Sequence, residues 1–186
     1  MRDDDDLARR AARGDRRALE ALLERHVDHV HALCRRVLGH PEDARDATQE
    51  AMIAIARGIT RFDGRSAFTT WMYRVATNAA LDELRRKQRR PEPIDVLGRD
   101  TPAAGPALDT VVTERLDVDA ALATLPPEFR VAVVLRDLCD LDYATIAEVL
   151  GVPPGTVRSR IARGRALLGE VLGNREAPSG RRSSDE

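Results

Sequence analysis

The chain has 186 residues, 42% of them apolar and 33% charged, with a formal net charge of -1. That suffices for one ordinary domain or two small ones with a buried core, and no apolar run approaches the roughly eighteen residues of a membrane span. The opening MRDDDDLARR is acidic and polar where a secretory signal is basic and then apolar, so a cytoplasmic protein is expected, and two distant cysteines, Cys34 and Cys139, give no disulfide framework.

Asp3 to Asp6 read as a frayed acidic lead into a helix rather than as a cation site. From Asp15 to Leu38, the residues Leu19, Leu22, Leu23, Val27, Val30, Leu33, Cys34 and Val37 recur at three- and four-residue steps, which marks one buried helix face. Gly39 stops that helix. His26, His29, His31 and Cys34 crowd nine of its residues, yet at 100° per residue they spread over roughly 200° and do not converge on one ion. Surface histidines, a core cysteine, and neither metal nor cofactor are expected.

Pro41 opens the next helix at its first position, with Glu42 and Asp43 in the first turn, and this helix runs to about Arg57. RFDGRS is turn-rich, and Ser66 is placed to cap a long helix that reaches Arg90. Four of the chain's aromatic residues, Phe62, Phe68, Trp71 and Tyr73, fall together here, followed by Arg74, Asn78 and the basic run Arg85 to Arg90. Rings beside a basic track are what single-stranded DNA binding uses. Core packing accounts for the rings equally, because Phe68, Trp71 and Val75 share a helix face. Phe68 and Trp71 are expected mostly to pack, with the RFDGRS loop and Asn78 reaching outward.

Residues 91 to 107 bear prolines and glycines without a helical period, and read as a flexible linker. Charge divides there too: residues 1 to 90 hold 19 basic against 15 acidic side chains, and residues 91 to 120 hold 2 against 7. An all-α fold of two small helical domains is expected, 1–90 and about 108–172, with a disordered tail over 173–186. The second domain reads as four helices: Leu108 to Ala123, one starting near Pro127, DYATIAEVLG, and PGTVRSRIARGRALLGEVL.

The last two have the form of a helix-turn-helix. Ala147 is small where the helices cross, Gly151 meets the turn's positive φ, and Val157 locks the second helix on the first. Val157, Ile161, Gly164 and Leu168 then face inward, while Thr156, Ser159, Ala162 and Arg163 point away with Arg158 and Arg160 on the flanks. Such an outer face enters the major groove. An arginine-rich helix taken alone is better read as merely solvated; the Ala147, Gly151 and Val157 spacing reverses that preference. No Walker loop, GxSxG, HExxH or dinucleotide turn is present, so no enzyme is expected.

PEDARDATQEAMIAIARGITRFDGRSAFTTWMYRVATNAALDELRR and LDYATIAEVLGVPPGTVRSRIARGRALL, in this order and across this linker, resemble the extracytoplasmic-function (group 4) sigma factors of bacterial RNA polymerase. The resemblance implies partners: core RNA polymerase, promoter DNA and an anti-sigma factor. It makes Asp46, Gln49 and Glu50 of DATQE polymerase contacts, though the same acids also fit plain solvent-facing positions. It makes Arg61, Phe62, Asp63, Gly64, Arg65 and Ser66, with Trp71, Arg74 and Asn78, candidates for reading a base flipped from the -10 element. It carries -35 contacts onto Arg158, Ser159, Ala162 and Arg163, beside Thr156 and Arg160. Ala162 departs from the larger side chain common in the family, which leaves a thymine-methyl contact. Two other readings use the same residues: a free-standing helix-turn-helix regulator, which normally binds a palindrome as a dimer, and a helical adaptor that binds no DNA.

Overall fold

The computed structural model describes residues 2–89 and 118–176. The expected linker, the start of the helix expected from Leu108 and the residues after 176 lie outside the described residues. The described residues form helices joined by turns and short loops, with no strand among them.

α1 (Arg2–Ala12) is a regular helix rather than a frayed lead. Asp3 and Asp4 both hold Arg25 of α2, the Asp3 contact at 2.8 Å, and Ala8 and Ala11 are buried. α2 (Arg16–Leu38) starts where expected, at an Asp15 cap whose carboxylate accepts the Ala18 N–H at 3.1 Å. That hydrogen bond, helped by Arg10, keeps the Asp15 carboxyl below the usual carboxylate range.

The buried stripe of α2 runs Ala18, Leu22, His26, Val30, Leu33, Cys34, Val37. Val27, expected in the core, is 37% exposed, and His26, expected at the surface, is buried. Steps of four from Ala18 bring residue 26 beneath α1 and turn residue 27 outward by 100°.

α3 (Pro41–Gly58) faces α2 with Ala44, Ala47, Thr48, Ala51 and Ile55. Mostly small side chains let the two helices approach closely. A 3-10 turn (Ile59–Arg61) and the loop 62–67 lead to α4 (Phe68–Arg89). Beyond the linker, α5 (118–124) precedes α6 (Pro127–Val133), which runs into a wider turn over Val134–Leu138, closed by the Cys139 N–H donating to the Val134 carbonyl at 3.1 Å. α7 (Tyr143–Leu150) and α8 (Pro154–Glu176) complete the described fold. α8 continues to Glu176, past the end expected at 172.

The two halves share one hydrophobic core. α4 packs on α7, and α2 on α6 and the turn after it. Arg130 of α6 reaches across, 7% exposed. Its guanidinium donates to Val37 O at 2.7 Å, Ala123 O at 2.6 Å and Leu125 O at 2.8 Å. Val37 ends α2 and Ala123 ends α5, so one cation satisfies the orphan carbonyls and negative dipole ends of helices from both halves.

Candidate nucleic-acid interface

The helix-turn-helix forms as its residues dictate. Asp142 caps α7, accepting the Thr145 N–H at 2.8 Å, and that bond keeps its carboxyl below the usual range. Gly151 ends α7 at φ 64, a left-handed conformation nearly free of strain for glycine alone. Val157 and Ile161 of α8 are 0% and 2% exposed. Gly164 lies in the crossing with α6, where a Cβ would stand 2.6 Å from a Val133 methyl carbon.

With that face committed, Arg158, Ser159, Ala162 and Arg163 are exposed on the other side. Thr156 is half-buried and its carbonyl accepts the Ser159 hydroxyl at 2.9 Å. Arg160 turns away from this surface into a groove between the halves, beside Leu81, Leu84 and Val152. Arg165 is held by Asp137, one contact at 3.0 Å, and so braces the fold. The guanidiniums of Arg136 and Arg158 stand 5.4 and 6.0 Å from the Tyr143 ring centroid, a cation–π arrangement that sequence reading did not single out.

In the N-terminal half the end of the 3-10 turn presents Arg61 to solvent, and the loop after it presents Asp63, Gly64 and Arg65, with Ser66 half-buried. Asp63 accepts the Arg65 N–H at 3.1 Å, a local turn that fixes the loop tip. Phe62, a candidate base contact, is instead 8% exposed. Its ring meets Phe68 and Trp71 edge-on at 6.0 and 5.9 Å between centroids. Burial of this ring holds the loop root, so it offers no stacking surface.

Trp71, Arg74 and Asn78 form one stripe along α4 at helical spacing. Arg74 and Asn78 are exposed and Trp71 half-buried, the indole lying on the end of α3 where a Cβ at Gly58 would stand 3.1 Å away. The basic run beyond is largely spoken for: Arg85 pairs with Asp82 at 2.7 Å, Arg86 with Glu83 at 2.8 Å and Lys87 with Asp43 at 2.6 Å. Asp46, Gln49 and Glu50 stand exposed on one face of α3. Glu50 and Asn78 line the same cleft between α3 and α4.

Ser66 does not cap α4. The Phe68 N–H donates instead to Asp5 Oδ1 of α1 at 2.7 Å. Nothing in the local sequence marks that pairing. Among the described residues no group of three or more His, Cys, Asp or Glu side chains is placed to hold a metal ion, and no helix is long and apolar enough to cross a membrane.

Comparison with known proteins assigns residues 22–90 to Sigma-70 region 2 and residues 115–168 to Sigma-70, region 4. The chain is 41% identical over 168 residues to the ECF RNA polymerase sigma factor SigE of Mycolicibacterium smegmatis, covering 87% of this chain and 65% of that one. It is 39% identical over 173 residues to the ECF RNA polymerase sigma factor SigM of Mycobacterium tuberculosis, covering 92% of this chain and 86% of that one. A solved structure of CnrH in complex with the cytosolic domain of CnrY matches with a TM-score of 0.70 at 28% identity, over 92% of this chain and 98% of that one.

Proposed function

This chain belongs to the sigma-70 family, in its extracytoplasmic-function group, and from that premise we propose how promoter reading is divided within an alternative sigma factor. Residues 1 to 90 dock on core RNA polymerase and trap the opened -10 strand. The half that starts near 108 and includes α8 reads the -35 duplex, and residues 91 to 107 join the two.

The observation that carries this reading is the pair of outward surfaces, one per half. On α8, Ser159 and Ala162 reach base edges while Arg158 and Arg163 hold phosphates or guanine. On the other half, the loop from Arg61 to Ser66 and the Trp71, Arg74, Asn78 stripe receive the strand. Extruding a base from the stack costs a few kcal/mol, so a preshaped loop beside a ring is what capture needs. Asp46, Gln49 and Glu50 supply an acidic face for the polymerase.

Sigma factors contribute specificity; this chain uses binding energy and supplies no reacting group. It acts in the cytoplasm, with the polymerase. The relative solved with a second protein bound supports a protein antagonist of the anti-sigma kind.

The -10 and -35 elements lie about 25 base pairs apart, on the order of 80 Å at 3.4 Å per base pair. Halves that share a core do not span that distance, so α4 must leave α7 before both elements are read together.

The test is run-off transcription with core RNA polymerase on a genomic fragment library, comparing wild type with Arg163→Ala and Asn78→Ala. Specific transcripts that appear only with the protein and fade in both variants support the reading. Failure to bind core polymerase would instead favour a free-standing regulator.

A further inference from the structure

The loop from Phe62 to Ala67 is anchored at both ends, and α1 touches each. At its start Phe62 is driven into the core and its N–H donates to Ile59 O at 3.0 Å, within the 3-10 turn on which α1 packs. At its end the first N–H of α4, that of Phe68, has no carbonyl one turn back to receive it. Asp5 Oδ1 receives it, from 63 residues earlier in the chain.

α1 is itself fastened. Arg25 of α2 bridges Asp3 and Asp4, and the buried face of α1 sits on α2. Asp6 has a different place: it is exposed, 4.0 Å from Arg9 of its own helix. The acidic string thus divides its labour, two residues clamping α1 to α2 and a third reaching the loop's exit.

We propose that Asp5 is a positioning residue for capture of the opened promoter strand. By fixing where α4 begins, it sets the path of Asp63 to Ser66 and the pose of Trp71 one turn into α4, and so keeps the strand-reading surface assembled before DNA arrives. A loop already in its bound shape loses less entropy on binding. The inference rests on the strand-trapping role given above to this loop.

The experiment uses holoenzyme reconstituted from core RNA polymerase and the full chain. The probe is a single-stranded DNA 12-mer selected against wild-type holoenzyme from a random pool. Asp5→Ala is expected to weaken capture of this strand by about twofold to thirtyfold, the range for losing a helix cap, while recruitment to a duplex carrying only the -35 element stays at wild-type level. Asp5→Asn keeps an acceptor oxygen without the charge and is expected to restore capture. Asp6→Ala removes an equal charge and is expected to change nothing.

Wild-type capture by Asp5→Ala would overturn the proposal. So would parallel loss of strand capture and -35 recruitment, which marks general destabilisation, or an Asp5→Asn variant as weak as Asp5→Ala. Selection that enriches no strand with wild-type holoenzyme would instead remove the strand-trapping role itself, and the proposal with it.

Discussion

Arg130 gives the sharpest test of whether the halves part. Its bond to Val37 O crosses between them, and a hydrogen bond from a charged donor contributes about 1.5 to 3 kcal/mol. Removing it in Arg130→Met, with the apolar stem roughly conserved, raises the open population by roughly tenfold to a hundredfold at 1.4 kcal/mol per factor of ten. Cys139 reports the opening, because its thiol packs against Tyr73 of the other half and burial pushes it up to about 11. At pH 8 that leaves about one thiolate per thousand, against about one in ten for a thiol at the ordinary value of 9.0. Cys139 is only half-buried in the closed form, so alkylation runs mainly through the open form once more than about one molecule in a hundred is open, as the two thiolate fractions require. Its rate, followed by mass spectrometry, is expected to rise in Arg130→Met, by less than the open population because the closed form keeps about a hundredth of the open form's reactivity. Cys34, buried wholly within the N-terminal half, is the internal control and stays slow. Arg130 also braces Ala123 and Leu125 of its own half, so Arg130→Lys, which keeps a charged donor and leaves the Cys139–Tyr73 contact untouched, serves as a milder second variant. An unchanged Cys139 rate in both variants, or Cys34 accelerating in step, would refute the reasoning.

Gly164→Ala gains about 1 kcal/mol of helix propensity but drives a Cβ within 2.6 Å of Val133. Overpacking costs about 1 to 3 kcal/mol, so calorimetry is expected to show a lower Tm for the C-terminal half. Gly58→Ala crowds Trp71, the only tryptophan; its emission in the free protein is expected to shift to the red, and strand capture to weaken. His26 is buried, and burial keeps its pKa below 6.5, while Asp4 opposes that shift and His29 and Arg25 add to it. The unfolded state then takes up a proton first. This contribution to stability is full above pH 6.5 and lost as pH falls below it. Tm is expected to drop between pH 7.5 and 5.5, with a shallower drop in His26→Gln. Finally, Arg158→Ala, if Arg158 is a phosphate contact, is expected to weaken holoenzyme binding across -35 sequences and reduce the salt slope by about one, whereas Ala162→Leu changes which sequences are preferred.

Much of the molecule was legible because its signals are local. The 15-to-38 helix, the Pro41 start and the helix-turn-helix each rest on residues three to six apart, and the backbone obeys them whatever packs above. Val27 and His26 show the first limit: both fit a helical period, and only the seat of α1 decides which is covered. α1 itself was obscured because its acids dominate the reading while its buried residues, Ala8 and Ala11, give a weak apolar signal. Phe62 shows the second limit. An aromatic residue next to a basic loop reads the same whether its ring faces DNA or the core, and here Phe68 and Trp71 had already formed the pocket that takes it.

The candidate interface divides along the same line. Sequence by itself determined the helical class, the family and the order of its two regions, since periodicity and motif spacing are properties of contiguous residues. Tertiary structure alone decided which charges remain available to DNA. Lys87 is spent on Asp43 and Arg165 on Asp137, and Arg160 turns into the groove between the halves. It also decided that Asp5 rather than Ser66 starts α4, and that Arg130 joins two helix ends from separate halves. Each of these depends on how whole helices pack, which brings together residues 28 to 93 positions apart; no local pattern encodes such a pairing, because only the sum of the buried faces sets it.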